Sequence, residues 1–128
     1  MFALCDFSDV TINVKFKNLS DGTNMFRNTG LKSIGEIEIN GLQQGGGMFG
    51  GCSLDSSSAL KVIAAAKKSG ARKLENCVTI GVSGSLMGDK SFRSAAGLPD
   101  EVPDDAASKG EYAYFNDDET EGVAIFWN

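Results

Sequence analysis

Gly41-Leu42-Gln43-Gln44-Gly45-Gly46-Gly47-Met48-Phe49-Gly50-Gly51 places six glycines in eleven consecutive positions. How this stretch is read decides the fold. Glycine costs entropy to order, so the tract reads as a flexible connection, or as a segment whose backbone something approaches closely. Immediately upstream, Ser33 to Asn40 reads as a strand. Gly35, Ile37 and Ile39 share one face of it and Glu36 and Glu38 the other. Asn40-Gly41 then offers a turn. Further upstream, Ser8 to Lys17 alternates Val10, Ile12, Val14 and Phe16 with Thr11, Asn13, Lys15 and Lys17, the pattern of a strand with one buried face. Residues 18–24 are rich in turn formers, and the state of Met25, Phe26 and Leu31 stays open.

Downstream of the glycines, Asp55 to Ser69 reads as a helix, with Ser53 or Asp55 as its cap. Leu60, Ile63, Ala64 and Lys67 follow helical spacing, and Val62 and Ala66 widen the stripe. Gly70 stands where a left-handed terminating residue is wanted. Asn76 to Ser83 reads as a strand with Val78, Ile80 and Val82 on one face. Pro99 and Pro103 among acids mark an exposed loop. Glu111 to Phe115 and Gly122 to Asn128 read as two final strands, joined by a hairpin with an acidic tip.

This order predicts a single α+β domain over residues 1–128. Its sheet is expected to be mostly antiparallel, of about five strands, with one main helix (about 55–69) packed on one face. No internal repeat and no heptads stand out. One helix leaves the other sheet face to solvent, loops or a partner, and Phe2, Phe7, Met48, Phe49, Phe126 and Trp127 are candidates for such a surface.

Composition narrows the functional classes. The chain has 128 residues, a net charge of −5, three cysteines and no histidine. Without histidine, serine–histidine and cysteine–histidine catalysis are excluded within one chain. The cysteines Cys5, Cys52 and Cys77 lack zinc-site spacing and read as reduced thiols. The acidic balance argues against nucleic-acid binding. No apolar run reaches the length of a membrane span, and the N-terminus does not read as a secretory signal. A cytoplasmic or virion-associated protein is expected, with no cofactor and no metal.

Charge is divided along the chain. Lys61, Lys67, Lys68, Arg72 and Lys73 form a basic segment, whereas the C-terminal third is acidic, with Asp117, Asp118 and Glu119 near its end. These can pair within the chain, or head to tail between copies, or lie solvated. Gly45, Gly47 and Gly50 spell Gly-x-Gly-x-x-Gly before a predicted helix, the spelling of a phosphate-binding turn. About fourteen residues separate strand from helix here, where that turn should be tight. Ser58-Ala59-Leu60-Lys61 spells Ser-x-x-Lys and is read as chance, because Lys68-Ser69-Gly70, its companion element, sits on the same helix. Residues 116–122 do not fit an EF-hand. Asn18-Leu19-Ser20 is a glycosylation spelling that matters only for a secreted chain.

The leading expectation is a non-catalytic interaction or assembly protein, such as a virion coat, tube or decoration subunit, or a small acidic inhibitor. Phe49, Lys67, Lys68, Arg72, Lys73, Asp117, Asp118 and Glu119 would carry its surface. The alternative is a small-ligand or nucleotide-binding domain using residues 41–51 and the following helix N-terminus, with Gly45, Gly47, Gly50 and Ser53 in contact.

Overall fold

The computed structural model describes residues 5–73, 75–98, 111–115 and 122–127, the third of these as backbone only. In chain order it contains β1 (Thr11–Lys15), β2 (Ser33–Glu38), β3 (Phe49–Leu54), α1 (Ser56–Lys67), β4 (Thr79–Val82), α2 (Gly84–Met87), α3 (Lys90–Ala96), β5 (Glu111–Phe115) and β6 (Gly122–Trp127).

The sheets are parallel, which corrects the antiparallel expectation. β1 pairs parallel with β2, and a second sheet runs β3-β4-β6-β5 with only the β5–β6 pair antiparallel. The turn signals after β1 and β2 do not close hairpins. Residues 16–32 separate β1 from β2, and that length carries the chain around a full rung so that it returns in the same direction.

The rung repeats, although no repeat stands out on a first reading of the sequence. Leu19, Gly22, Met25, Phe26 and Leu31 recur 23 positions later as Leu42, Gly45, Met48, Phe49 and Leu54. A period of this size is the mark of stacked, solenoid-like architecture. The two copies lie one on the other. The amides of Gly22, Asn24, Phe26 and Asn28 donate to the carbonyls of Gln44, Gly46, Met48 and Gly50 at 2.8, 3.0, 2.8 and 2.9 Å. The same turns recur in each copy: Met25 N–H donates to Gly22 C=O as Met48 does to Gly45, and Arg27 to Asn24 as Gly50 does to Gly47. Phe26 stacks on Phe49 with ring centroids 5.4 Å apart and planes 5° from parallel. Phe7 packs against Phe26 at a tilt of 54°, with ring centroids 6.2 Å apart.

The glycine tract is therefore ordered structure. Asn24, Asn28, Gly47 and Gly51 all have left-handed backbones, with φ of 57, 58, 70 and 71°. A Cβ on Gly47 or Gly51 would collide with the side-chain oxygen of Asn24 or Asn28 lying over it. Asparagine tolerates this conformation above, and only glycine leaves room for it below. In β1–β2 the register slips between Ile12 and Val14, and Asn13 Oδ1 accepts the Glu36 amide at 3.0 Å at the irregularity.

The third rung begins differently. Where a third strand would stack on β2 in the first sheet, the chain forms α1. Asp55 caps it, its carboxylate accepting the Ser58 amide at 2.8 Å. The buried stripe is Ala59, Val62, Ile63 and Ala66, whereas Ala64 and Lys67 are exposed and Leu60 is half-buried. Gly70 is not a left-handed terminator: α1 ends at Lys68 in right-handed geometry, and the Gly70 amide donates to Leu42 C=O at 2.8 Å.

β4 continues the second sheet, and Val78, Ile80 and Val82 are buried as expected. The segment after it, for which the sequence pattern gives no element, forms α2 and α3, capped by Ser83 and Asp89. β6 lies between β4 and β5 with Val123 and Ile125 in the core and Trp127 half-buried. Pro99, Pro103 and the acidic tip between β5 and β6 lie outside the described residues. Among the described residues no helix is long and apolar enough to cross a membrane.

Candidate functional site

β3 and β4 end side by side, with Leu54 paired to Val82. Each strand runs directly into a capped helix. Asp55 follows β3; one carboxylate oxygen holds the Ser58 amide and the other accepts the Ser33 hydroxyl at 3.1 Å. Ser83 follows β4, accepts the Leu86 amide at 3.1 Å and lies 3.1 Å from the Ser85 hydroxyl. Asp89, at the start of α3, accepts the Ser91 and Phe92 amides at 2.8 and 3.4 Å. Together with Ser53, Ser56 and Leu86 these residues line an open cleft of about 380 Å³. The carboxyl edge of parallel strands is where such sheets usually place ligands.

Burial, the largest single influence, pushes the Asp55 carboxyl upward, but the Ser58 amide, the Ser58 and Ser33 hydroxyls and the Lys61 charge together outweigh it. The net result is a carboxyl held below its ordinary value. The cleft thus carries acceptor carboxylates and serine hydroxyls, which donate and accept. Hydroxyl or ammonium groups suit it. A phosphate would meet like charge.

A second, larger opening of about 440 Å³ lies between β2 and α1, with Glu36 and Glu38 on the strand side and Lys61 and Lys68 on the helix side. Glu36 forms an exposed ion pair with Lys15. The contact holds the Glu36 carboxyl below and the Lys15 ammonium above its ordinary value. At this exposure it contributes little to stability.

The residues singled out from the sequence scatter. Ser53 lines the first cleft. Gly45 lies against Val78, its amide donating to Asn76 C=O and its carbonyl accepting the Thr79 amide. Gly47 lies under Asn24, and the Gly50 carbonyl is taken by Asn28. The structure does not gather these three glycines at a helix start, since Gly50 lies within β3 and that strand separates Gly45 and Gly47 from α1. Phe49 is fully buried, because it is the lower ring of the Phe26 stack. Lys67, Lys68 and Lys73 are exposed and Arg72 is half-buried near the end of α1, with an Arg72 guanidinium nitrogen 3.4 Å from Lys67 C=O. Asp117, Asp118 and Glu119 lie outside the described residues.

Ser58 and Lys61, the Ser-x-x-Lys pair, both serve the edge of β2. Ser58 Oγ accepts the Ile34 amide at 2.8 Å, and Lys61 Nζ donates to the carbonyls of Ile34 and Gly35 at 3.2 and 3.0 Å. Ser69 of the companion spelling bonds Ala66 C=O at 2.8 Å and accepts the Ala71 amide at 3.1 Å. Cys52 and Cys77 are buried, burial raising both thiols, and Cys5 is exposed. Among the described residues no three potential metal ligands cluster. Sequence reasoning misses Ser83, Ser85 and Asp89. Ser83-Gly84-Ser85-Leu86 and Asp89-Lys90-Ser91-Phe92 each open on a capping residue, and that is the available signal.

No protein-family model, no curated protein and no solved structure matches the chain.

Proposed function

We propose that the chain is a binding protein without catalysis of its own, which takes a small neutral or cationic polar ligand in the cleft at the carboxyl ends of β3 and β4. One observation carries this reading. Two parallel strand ends and three capped helix starts meet around a single opening of about 380 Å³ lined by serines and by Asp55 and Asp89. Hydroxyl-rich or amine-bearing molecules match its donors and acceptors. Of the residues expected to contact a ligand, Ser53 lines this cleft beside the start of α1, and its place there supports the reading.

The test is an amide chemical-shift titration with a polyol, a primary amine and inorganic phosphate in turn. Shifts confined to residues 53–56 and 83–89 with polyol or amine are expected. No shift with either at millimolar concentration, or shifts with phosphate alone, would overturn the reading.

A second reading, an interaction or assembly subunit, cytoplasmic or virion-associated, is supported by Phe126, which is 39% exposed, and by the exposed lysines at the end of α1. Stacked rungs also present extended surfaces to partners. Native mass spectrometry separates the two: a large homo-oligomer favours assembly, and a monomer favours the ligand cleft.

A further inference from the structure

We infer that α1 stands in for the missing third strand of the first sheet, and that Lys61 is the residue that keeps the β2 edge closed to a second copy of the chain. A parallel ladder that stops leaves a row of amides and carbonyls ready to pair with another strand. β1 pairs with one edge of β2. At the opposite edge the groups of Ile34 and Gly35 point where a third strand would lie, and helix side chains take them. The Ile34 amide goes to Ser58 Oγ, and both carbonyls go to the Lys61 ammonium. Ser58 is buried and sits one turn from Lys61 on the same helix. The pair thus supplies one acceptor and several donors, as a strand would.

Lys61 is the more exposed of the two and the one that brings charge to the edge. Beyond Gly35 the helix departs from the strand, and the opening bordered by Glu36, Glu38 and Lys68 begins there. Pairing from this opening toward Ile34 must displace the ammonium. Without it, the bare carbonyls of one chain face the outer edge of β1 in another, which pairs with no strand among the described residues, and strand addition between copies adopts the geometry already used by β1 and β2.

The experiment compares Lys61→Met, which keeps the stem and loses the donors, with Lys61→Arg, which keeps donors. Sedimentation over a hundredfold concentration range reads association, and hydrogen exchange reads Ile34 to Ile37. Lys61→Met is expected to associate more than the native chain, with exchange about tenfold faster at these amides when dilute, while Lys61→Arg matches the native chain. A folded Lys61→Met that sediments and exchanges like the native chain overturns the proposal. So does a Lys61→Arg that associates as strongly as Lys61→Met. If Lys61→Met does not fold, Lys61→Leu, which also lacks donors, replaces it under the same two outcomes.

Discussion

The rung from Leu19 to Leu31 and the rung from Leu42 to Leu54 have one backbone shape and different residues at its hardest points. Both turn left-handed at two equivalent positions, with asparagine in the first copy and glycine in the second. Asparagine is acceptable there only because the position beneath it has no side chain. The glycine content of residues 41–51 therefore records the packing of one rung on another. It is not a mark of mobility. The contrast has a direction: a substitution in the lower rung is judged by what lies above and below it, and one in the upper rung has fewer neighbours to offend.

The largest expected effect separates Gly45 from its equivalent Gly22. A Cβ on Gly45 would lie 2.9 Å from Val78 Cα and 3.2 Å from Val78 N. Backbone cannot swing aside, and Gly45 is pinned to the next rung through Asn76 and Thr79. A Cβ on Gly22 would meet only the ends of Met48 and Leu42, at 3.0 and 3.1 Å. Gly45→Ala is expected to cost about 3 kcal/mol and Gly22→Ala about 1 kcal/mol, within the usual span of overpacking. Denaturant titration measures both. Equal costs would break the comparison, because the two rungs would then be equally tolerant.

Next in size is the contact between Asn24 and Gly47. Gly47→Ala meets left-handed strain of roughly 1–2 kcal/mol and also the Asn24 oxygen. In an Asn24→Gly background only the strain remains, so the substitution should cost about 0.5–1 kcal/mol less there. Additive effects in this double-mutant cycle would mean that the side-chain oxygen adapts freely, leaving backbone conformation as the sole reason for glycine.

Much of the element content is legible in the sequence, and the topology is not. β1, β2, α1, β4, β5 and β6 fall within the segments that periodicity marks, because each carries its own apolar pattern. The direction of pairing resides in the spacing between distant segments. Leu, Gly, Met and Phe recurring at 23 positions carry that information. The glycines around the second copy obscure it, since a glycine-rich tract has the composition of a linker. The cleft is half legible. Asp55 reads as a helix cap and Ser53 as a contact, but Ser83, Ser85 and Asp89 belong to helices of four and seven residues, too short for a periodic signal.

The rungs also differ in the element each one leads into. Lys32 and Ser33 lead from Leu31 into β2, whereas the equivalent Asp55 and Ser56 lead from Leu54 into α1. The cap contributes to this switch, so Asp55→Ala should cost about 1 kcal/mol. The folded carboxyl is held below its ordinary value. Its contribution is therefore present above the unfolded value near pH 4 and fades as pH falls through the lower folded value. Asp55→Asn keeps an acceptor at the cap and should flatten this acid limb while preserving most of the stability at pH 7. An unchanged acid limb in Asp55→Asn would assign the pH dependence to other carboxyls.

Gly46 should show the smallest effect and the sharpest contrast. It lies between Gly45 and Gly47 in the same tract, yet a Cβ there meets nothing within 4 Å, and its backbone is not left-handed. The folded state gives no reason for glycine at this position. Alanine would reduce the freedom of the unfolded chain, so Gly46→Ala should leave stability unchanged or raise it by up to about 1 kcal/mol. Three adjacent glycines would then give a large cost, a small gain and an intermediate cost in order. If Gly46→Ala destabilises as much as Gly45→Ala, the tract responds as a whole, and position-by-position packing against Val78 and Asn24 does not explain its composition.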